Sequence, residues 1–122
     1  TPCSSAMATA GLTTVRFGRP SYSVLESAGN AVISVTLSSP MTPLVTVTHM
    51  TFDDTAVVGS DYLVGNGVLI FGTGETLKTF IVPILNDNKI EGNEKINLSV
   101  SYPVCASLGV PISATLTIID DD

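Results

Sequence analysis

The side chains with the means to do chemistry are mostly carboxylates, and they come in groups: Glu26 alone, then Asp53, Asp54 and Asp61, then Asp87, Glu91 and Glu94, and finally Asp120, Asp121 and Asp122. Only Glu75 stands apart from this pattern. Hard oxygen donors in loop-forming sequence, with no His or Cys among them, suit calcium better than zinc, copper or iron, while magnesium prefers a more regular and wetter octahedron. Paired carboxylates can also hydrolyse glycosides, but that needs a cleft and two differently tuned acids, and nothing in the sequence suggests a cleft. His49 is the single histidine and falls mid-strand on an inward alternation, which leaves a Ser-His-Asp arrangement few options and predicts a packed ring. No catalytic residue is assigned, and the chain reads as a non-enzyme.

Whether these acids meet depends on the elements that carry them. With 122 residues the chain has room for one two-layer core. Val, Ile, Thr, Ser, Gly and Pro outnumber the good helix formers, which favours strands and turns. Residues 1–13 show no period and read as a lead-in segment; the domain proper is 14–122. Period-two alternation marks strands at 31–37 (Ala31, Ile33, Val35, Leu37), 44–51 (Val45, Val47, His49), 77–85 (Phe80, Val82, Ile84), 95–102 (Ile96, Leu98, Val100) and 114–119 (Ala114, Leu116, Ile118). A shorter strand is expected at 67–71, and 14–17 with 22–26 reads as one first strand broken around Gly18 and Pro20. Gly65-Asn66-Gly67 and Gly72-Thr73-Gly74 lack the strand-to-helix setting of phosphate loops and read as turns. The expected fold is all-β, a seven-stranded antiparallel β-sandwich with an immunoglobulin-like Greek key.

Successive antiparallel strands alternate direction, so counting parity assigns each loop to one end. Ten of the eleven acids then share one pole, with Glu75 at the other. At an effective dielectric near 20, two carboxylates ~5 Å apart repel by roughly 3 kcal/mol, so a counter-charge is needed. Lys89 and Lys95 are too few to supply it. A divalent metal is the natural candidate.

Net charge of −6 with only five Lys and Arg excludes the phosphate-neutralising surface of a nucleic-acid binder and opposes adsorption to anionic lipid. No apolar run is long enough to span a bilayer, so membrane insertion is not expected. The same parity brings Cys3 and Cys105 to the other pole, where a disulfide is expected, pointing to an oxidising, extracellular or cell-surface setting. Asn97-Leu98-Ser99 is an N-glycosylation triplet with Asn97 on the outward face of its strand.

Several motifs in order resemble the Calx-beta domain family, the calcium-binding repeats of sodium/calcium exchangers found also in cell-surface proteins. They are Val15-Arg16-Phe17 with Tyr22-Ser23-Val24-Leu25-Glu26-Ser27, Thr51-Phe52-Asp53-Asp54-Thr55-Ala56 leading into Gly59-Ser60-Asp61-Tyr62, and Gly67-Val68-Leu69-Ile70-Phe71 with Gly74-Glu75-Thr76. Ile84-Leu85-Asn86-Asp87-Asn88, Ile90-Glu91-Gly92-Asn93-Glu94 and Thr117-Ile118-Ile119-Asp120-Asp121-Asp122 complete the match over 14–122. The resemblance implies calcium ligands at Glu26, Asp61, Asp87, Glu91, Glu94, Asp120, Asp121 and Asp122, with the Lys89 carbonyl as a backbone donor. Asn86 and Asn88 stand where strongly binding members carry aspartate, which implies one or two ions at the ~10⁻⁴ to 10⁻³ M affinity of extracellular modules. Asp54 replaces a usual glycine and is expected to alter loop shape rather than ligation.

These readings lead to a calcium-binding module that rigidifies a cell-surface or adhesion protein and partners its adjacent domains. Two alternatives stand beside it: a glycan- or protein-recognition module, and a regulatory calcium sensor, against which the weak affinity and the cysteine pair count.

Overall fold

The computed structural model describes residues 13–38, 45–86 and 92–120. Nine strands are found among them: β1 (Thr14–Phe17), β2 (Ser21–Leu25), β3 (Asn30–Leu37), β4 (Val45–Asp53), β5 (Gly67–Phe71), β6 (Leu77–Pro83), β7 (Glu94–Val104), β8 (Ser107–Leu108) and β9 (Ser113–Ile119). They form two sheets, ordered β6-β3-β1-β8 and β2-β9-β7-β4-β5. A 3-10 turn, Glu26–Ala28, joins β2 to β3.

The alternation read from the sequence is the burial pattern of the structure. Ile33, Val35, Val47, Val82, Ile96, Leu98, Leu116 and Ile118 are buried between the sheets, closed by Phe17, Phe71 and Tyr62. The first strand departs from expectation, and with it the strand count. Its halves pair in different sheets: β1 runs antiparallel to β3 and parallel to β8, while β2 runs parallel to β9. The sandwich is therefore nine-stranded, with two parallel pairings in place of the uniformly antiparallel seven.

The crossing between sheets is built from small local devices. The Gly18 amide donates to the Ser34 carbonyl at 2.9 Å, and a Cβ at Gly18 would collide with Ser34 Oγ. Tyr22 on β2 then reaches back to the other sheet, its hydroxyl donating to the Ser34 carbonyl at 3.0 Å while accepting from the Arg19 amide at 3.1 Å. One tyrosine thus fastens both sheets where the chain changes layer. Because β1 and β2 keep the same direction, the alternation of loops between poles survives the switch.

His49 is packed, as its alternation predicts. The ring stacks on Phe80 of the opposite sheet, centroids 3.9 Å apart and 13° from parallel, with Nδ1 2.6 Å from the Gly65 carbonyl. Burial lowers its pKa from the ordinary 6.5, the Gly65 hydrogen bond opposing in part. The folded state therefore prefers neutral imidazole. Its contribution to stability is complete above the unfolded value of 6.5 and is lost as pH falls from there toward the lowered folded value. Urea midpoints measured from pH 8 to 5 should decline across that window, and His49→Phe should flatten the decline. An unchanged slope in the variant would assign it to other groups.

Candidate metal centre

Strand register decides which acids meet. Leu25 of β2 is level with Ile119 of β9 in a parallel pair, so the next residues, Glu26 and Asp120, leave neighbouring strands at the same height. On the other flank of β9, Glu94 of β7 is level with Ile118. Each acid also continues an inward-facing column: Glu26 follows Val24, Asp120 follows Ile118, and Glu94 precedes Ile96. Where three adjacent strands run out of apolar residues, their core-facing positions turn to carboxylate. Glu26 is only 6% exposed.

The loop after β4, in the same sheet, contributes Asp61 and is tied to the end of β6 in the other sheet. The Leu85 amide at the end of β6 donates to the Asp61 carbonyl at 3.0 Å, and the Ile84 amide to Gly29 at 2.9 Å, tying this loop and the turn after Glu26 to one pole. Asp61 Oδ2 accepts from the Val57 amide at 2.9 Å, which closes its own turn. Asp120 Oδ2 accepts from the Gly92 amide at 2.9 Å, and the Asp120 amide donates to Asn93 Oδ1 at 3.1 Å. Gly92 takes φ of 78°, a left-handed conformation that suits glycine.

Glu26, Asp61, Glu94 and Asp120 thus share the pole to which parity assigned them, together with Asp53 and Asp54, while Glu75 sits at the other end paired with Lys78 at 3.0 Å. Asp87, Lys89, Glu91, Asp121 and Asp122 lie outside the described residues, as does Cys3. Among the described residues no three of His, Cys, Asp and Glu come together as a ready metal cluster. In donor chemistry the described acids fit a hard cation, being carboxylates in turns and strand ends with no soft ligand among them.

Asp53, Thr55 and Asn93 have positioning roles the sequence did not disclose. Asp53 Oδ1 accepts from the Tyr62 hydroxyl at 2.6 Å and from the Val58 amide at 3.0 Å, pinning the loop that carries Asp61. Burial first, then the bond to Asp53 and its negative charge, push the Tyr62 pKa upward, so the phenol stays a donor. Thr55 Oγ1 accepts from the Lys95 amide at 2.7 Å, joining the same loop to β7. Asp54 is exposed. Asn97 is exposed on β7, level with Phe52 and Thr115. Cys105 is buried and is not a free thiol.

Solved structures with this architecture include the apo-form Calx CBD1 domain, with TM-score 0.86 and 28% identity over 91% of this chain and 99% of that one. Another is the calcium binding domain CBD12 of CALX1.1, with TM-score 0.84 and 28% identity over 88% of this chain and 46% of that one. Sodium/calcium exchanger 1 of Rattus norvegicus is 35% identical over 127 residues, and sodium/calcium exchanger Calx of Drosophila melanogaster 29% over 102. The chain covers 13% of the first and 11% of the second, so it corresponds to one module of much larger proteins.

These relatives overturn the expected extracellular or cell-surface location, because the calcium-binding domains of such exchangers sit in the cytoplasmic loop of a membrane protein. Two cysteines are slender grounds for assigning a compartment. The Calx-beta domain model matches residues 10–122, nearly the whole chain, and the chain belongs to the Calx-beta domain family.

Proposed function

We propose that this module binds calcium at its acidic pole and acts as a non-catalytic regulatory element of a larger protein. Glu26, Asp61, Glu94 and Asp120 supply ligands from the described residues, joined by Asp87, Glu91, Asp121, Asp122 and the Lys89 carbonyl. The observation that carries this reading is the register that brings Glu26 and Asp120 level just past the ends of β2 and β9, with Glu94 at the start of β7 level with Ile118. Bound calcium supplies the divalent counter-charge that a cluster of like charges lacks. With it, the 3-10 turn after β2, the Asp61 loop and the end of β9 are held as one unit, which stiffens the domain toward its neighbours in the parent chain.

The regulatory reading replaces the adhesive one because similar domains belong to ion exchangers, one of them described in its own structure as a calcium binding domain. The ~10⁻⁴ to 10⁻³ M range belongs to extracellular modules and loses that basis, while Asn86 and Asn88 in place of aspartate still imply fewer ions or weaker binding. Titration calorimetry is expected to show saturable calcium binding and no comparable heat with magnesium. Absence of calcium heat at millimolar concentration would remove the proposal.

We also propose that Cys105 pairs with Cys3, supported by its not being a free thiol in a chain with two cysteines. Intact-mass measurement after alkylation without reductant should show no added label. Two labels would reject the pairing.

A further inference from the structure

The turn Gly65-Asn66-Gly67 plays no part in the acidic pole, yet the fold gives each of its residues a reason. A Cβ at Gly65 would lie 3.0 Å from Val82 Cγ2 and 3.2 Å from Thr51 Cγ2, and one at Gly67 would lie 3.0 Å from His49 Nε2. Asn66 Oδ1 accepts from the Thr51 amide at 2.9 Å and from the Thr51 hydroxyl at 3.4 Å. Packing around His49 and Thr51 thus sets an asparagine directly before a glycine, the only such pair in the chain.

That pair is chemically labile. Glycine has no side chain to shield its backbone nitrogen, so the Gly67 nitrogen can approach the side-chain carbonyl carbon of Asn66 closely. Asn66 is exposed, which admits water. Both Thr51 donors aim at Oδ1, where negative charge develops when Cγ is attacked, and so favour that attack. The ladder restrains it. The Thr51 amide points toward β5, and amides two residues apart on a strand point the same way, so His49 and Gly67 form the last hydrogen-bonded rung between β4 and β5. Past that rung the Asn66 side chain stands in for the backbone. β5 borders its sheet, so its first residue opens locally at far lower cost than the whole fold.

We propose that Asn66 is a spontaneous modification site, converted through a cyclic imide to aspartate and isoaspartate when the first rung of β5 opens. The Gly67 nitrogen attacks Asn66 Cγ, the Cγ–Nδ2 bond breaks, and ammonia leaves with the proton that the Gly67 nitrogen loses. Water then opens the imide. Its attack on the former side-chain carbonyl gives aspartate with the backbone intact, while attack on the backbone carbonyl gives isoaspartate, whose main chain runs through Cγ. The two products fare differently in the fold. Aspartate keeps an oxygen for the Thr51 amide and adds charge to that bond. Isoaspartate inserts one more carbon ahead of Gly67, so the Thr51 bond and the His49 rung no longer fit together.

The test is incubation of the chain at mildly alkaline pH, folded and in concentrated urea, followed by peptide mass spectrometry and isoaspartate-specific methylation. Conversion at Asn66 is expected in the folded chain at no less than about a hundredth of its rate in urea, the protection of a fraying strand end. The isoaspartate fraction, separated by ion exchange, is expected to melt below Asn66→Asp, which serves as the aspartate standard. Protection of ~10³-fold or more, the scale of global unfolding, overturns the inference, because Asn66 would then react only in the unfolded chain. So does conversion of Asn93 or Asn97 ahead of Asn66, or an isoaspartate fraction that melts together with Asn66→Asp.

Discussion

Exchanging Asp120 for Asn and Glu26 for Gln together is expected to abolish most of the rise in melting temperature that calcium gives the wild-type domain. At free calcium ~100-fold above its dissociation constant, a single ligand bound only by the folded state stabilises it by about 2.7 kcal/mol. For a domain of this length that is a rise of about 10 °C. Losing two charged ligands at about tenfold each weakens binding ~100-fold, and at the same calcium concentration stabilisation falls to about 0.4 kcal/mol. The chosen variants separate ligation from folding. Asn at 120 retains an oxygen to accept the Gly92 amide, and Gln at 26 keeps the volume of a buried side chain. Removing like charges from one pole also relieves repulsion, so the calcium-free melt should hold or rise while the calcium-induced increment collapses. Scanning calorimetry with and without calcium reads both quantities. A variant that still gains the wild-type increment would show that these two acids are not ligands.

The acidic pole was legible because it depends on strand direction alone. Parity needs the number and sense of strands between two loops, and period-two alternation supplies both wherever one face is buried, as in Ala31 to Leu37 or Ile96 to Val100. Splitting the first strand at Gly18 changed its sheet membership and left its direction alone, so Glu26 kept its pole. What the sequence could not express was pairing that rests on distant partners. β8 is two residues whose ladder lies on β1, more than 90 positions earlier, and the β2 ladder lies on β9 at the far end of the chain. No local pattern encodes such contacts. The gap at Gly18 and Pro20 was visible, but only the Tyr22 and Ser34 bonds show that it is where the chain changes layer.

Compartment failed for a different reason. A cysteine pair reports a possible crosslink, and carrying that to an extracellular setting added an assumption about the parent protein that the residues never contained. The similarity to exchanger modules corrects the setting and leaves the acidic pole as it was.

Asp53 shares the acidic pole but stands outside the ligand set that the family resemblance implies, and its replacement should show how much of the pole is structural. Tyr62 is 1% exposed, and its hydroxyl meets Asp53 Oδ1 at 2.6 Å. The same oxygen takes the Val58 amide at 3.0 Å. Asp53→Ala takes the carboxylate acceptor from a buried hydroxyl and opens the turn that presents Asp61, with an expected loss of about 2 to 3 kcal/mol, the upper range for a hydrogen bond to a charged group. Tyr62→Phe removes the hydroxyl while leaving the carboxylate near solvent, at a lower expected cost of about 1 kcal/mol. If the two groups act through their mutual bond, Asp53→Ala made in the Tyr62→Phe background should cost at least ~1 kcal/mol less than in the wild type by urea denaturation. Additive losses would show that Asp53 works through the Val58 amide instead. Asp61 sits one residue before Tyr62, so the same cycle reports how firmly the turn that carries that carboxylate is held.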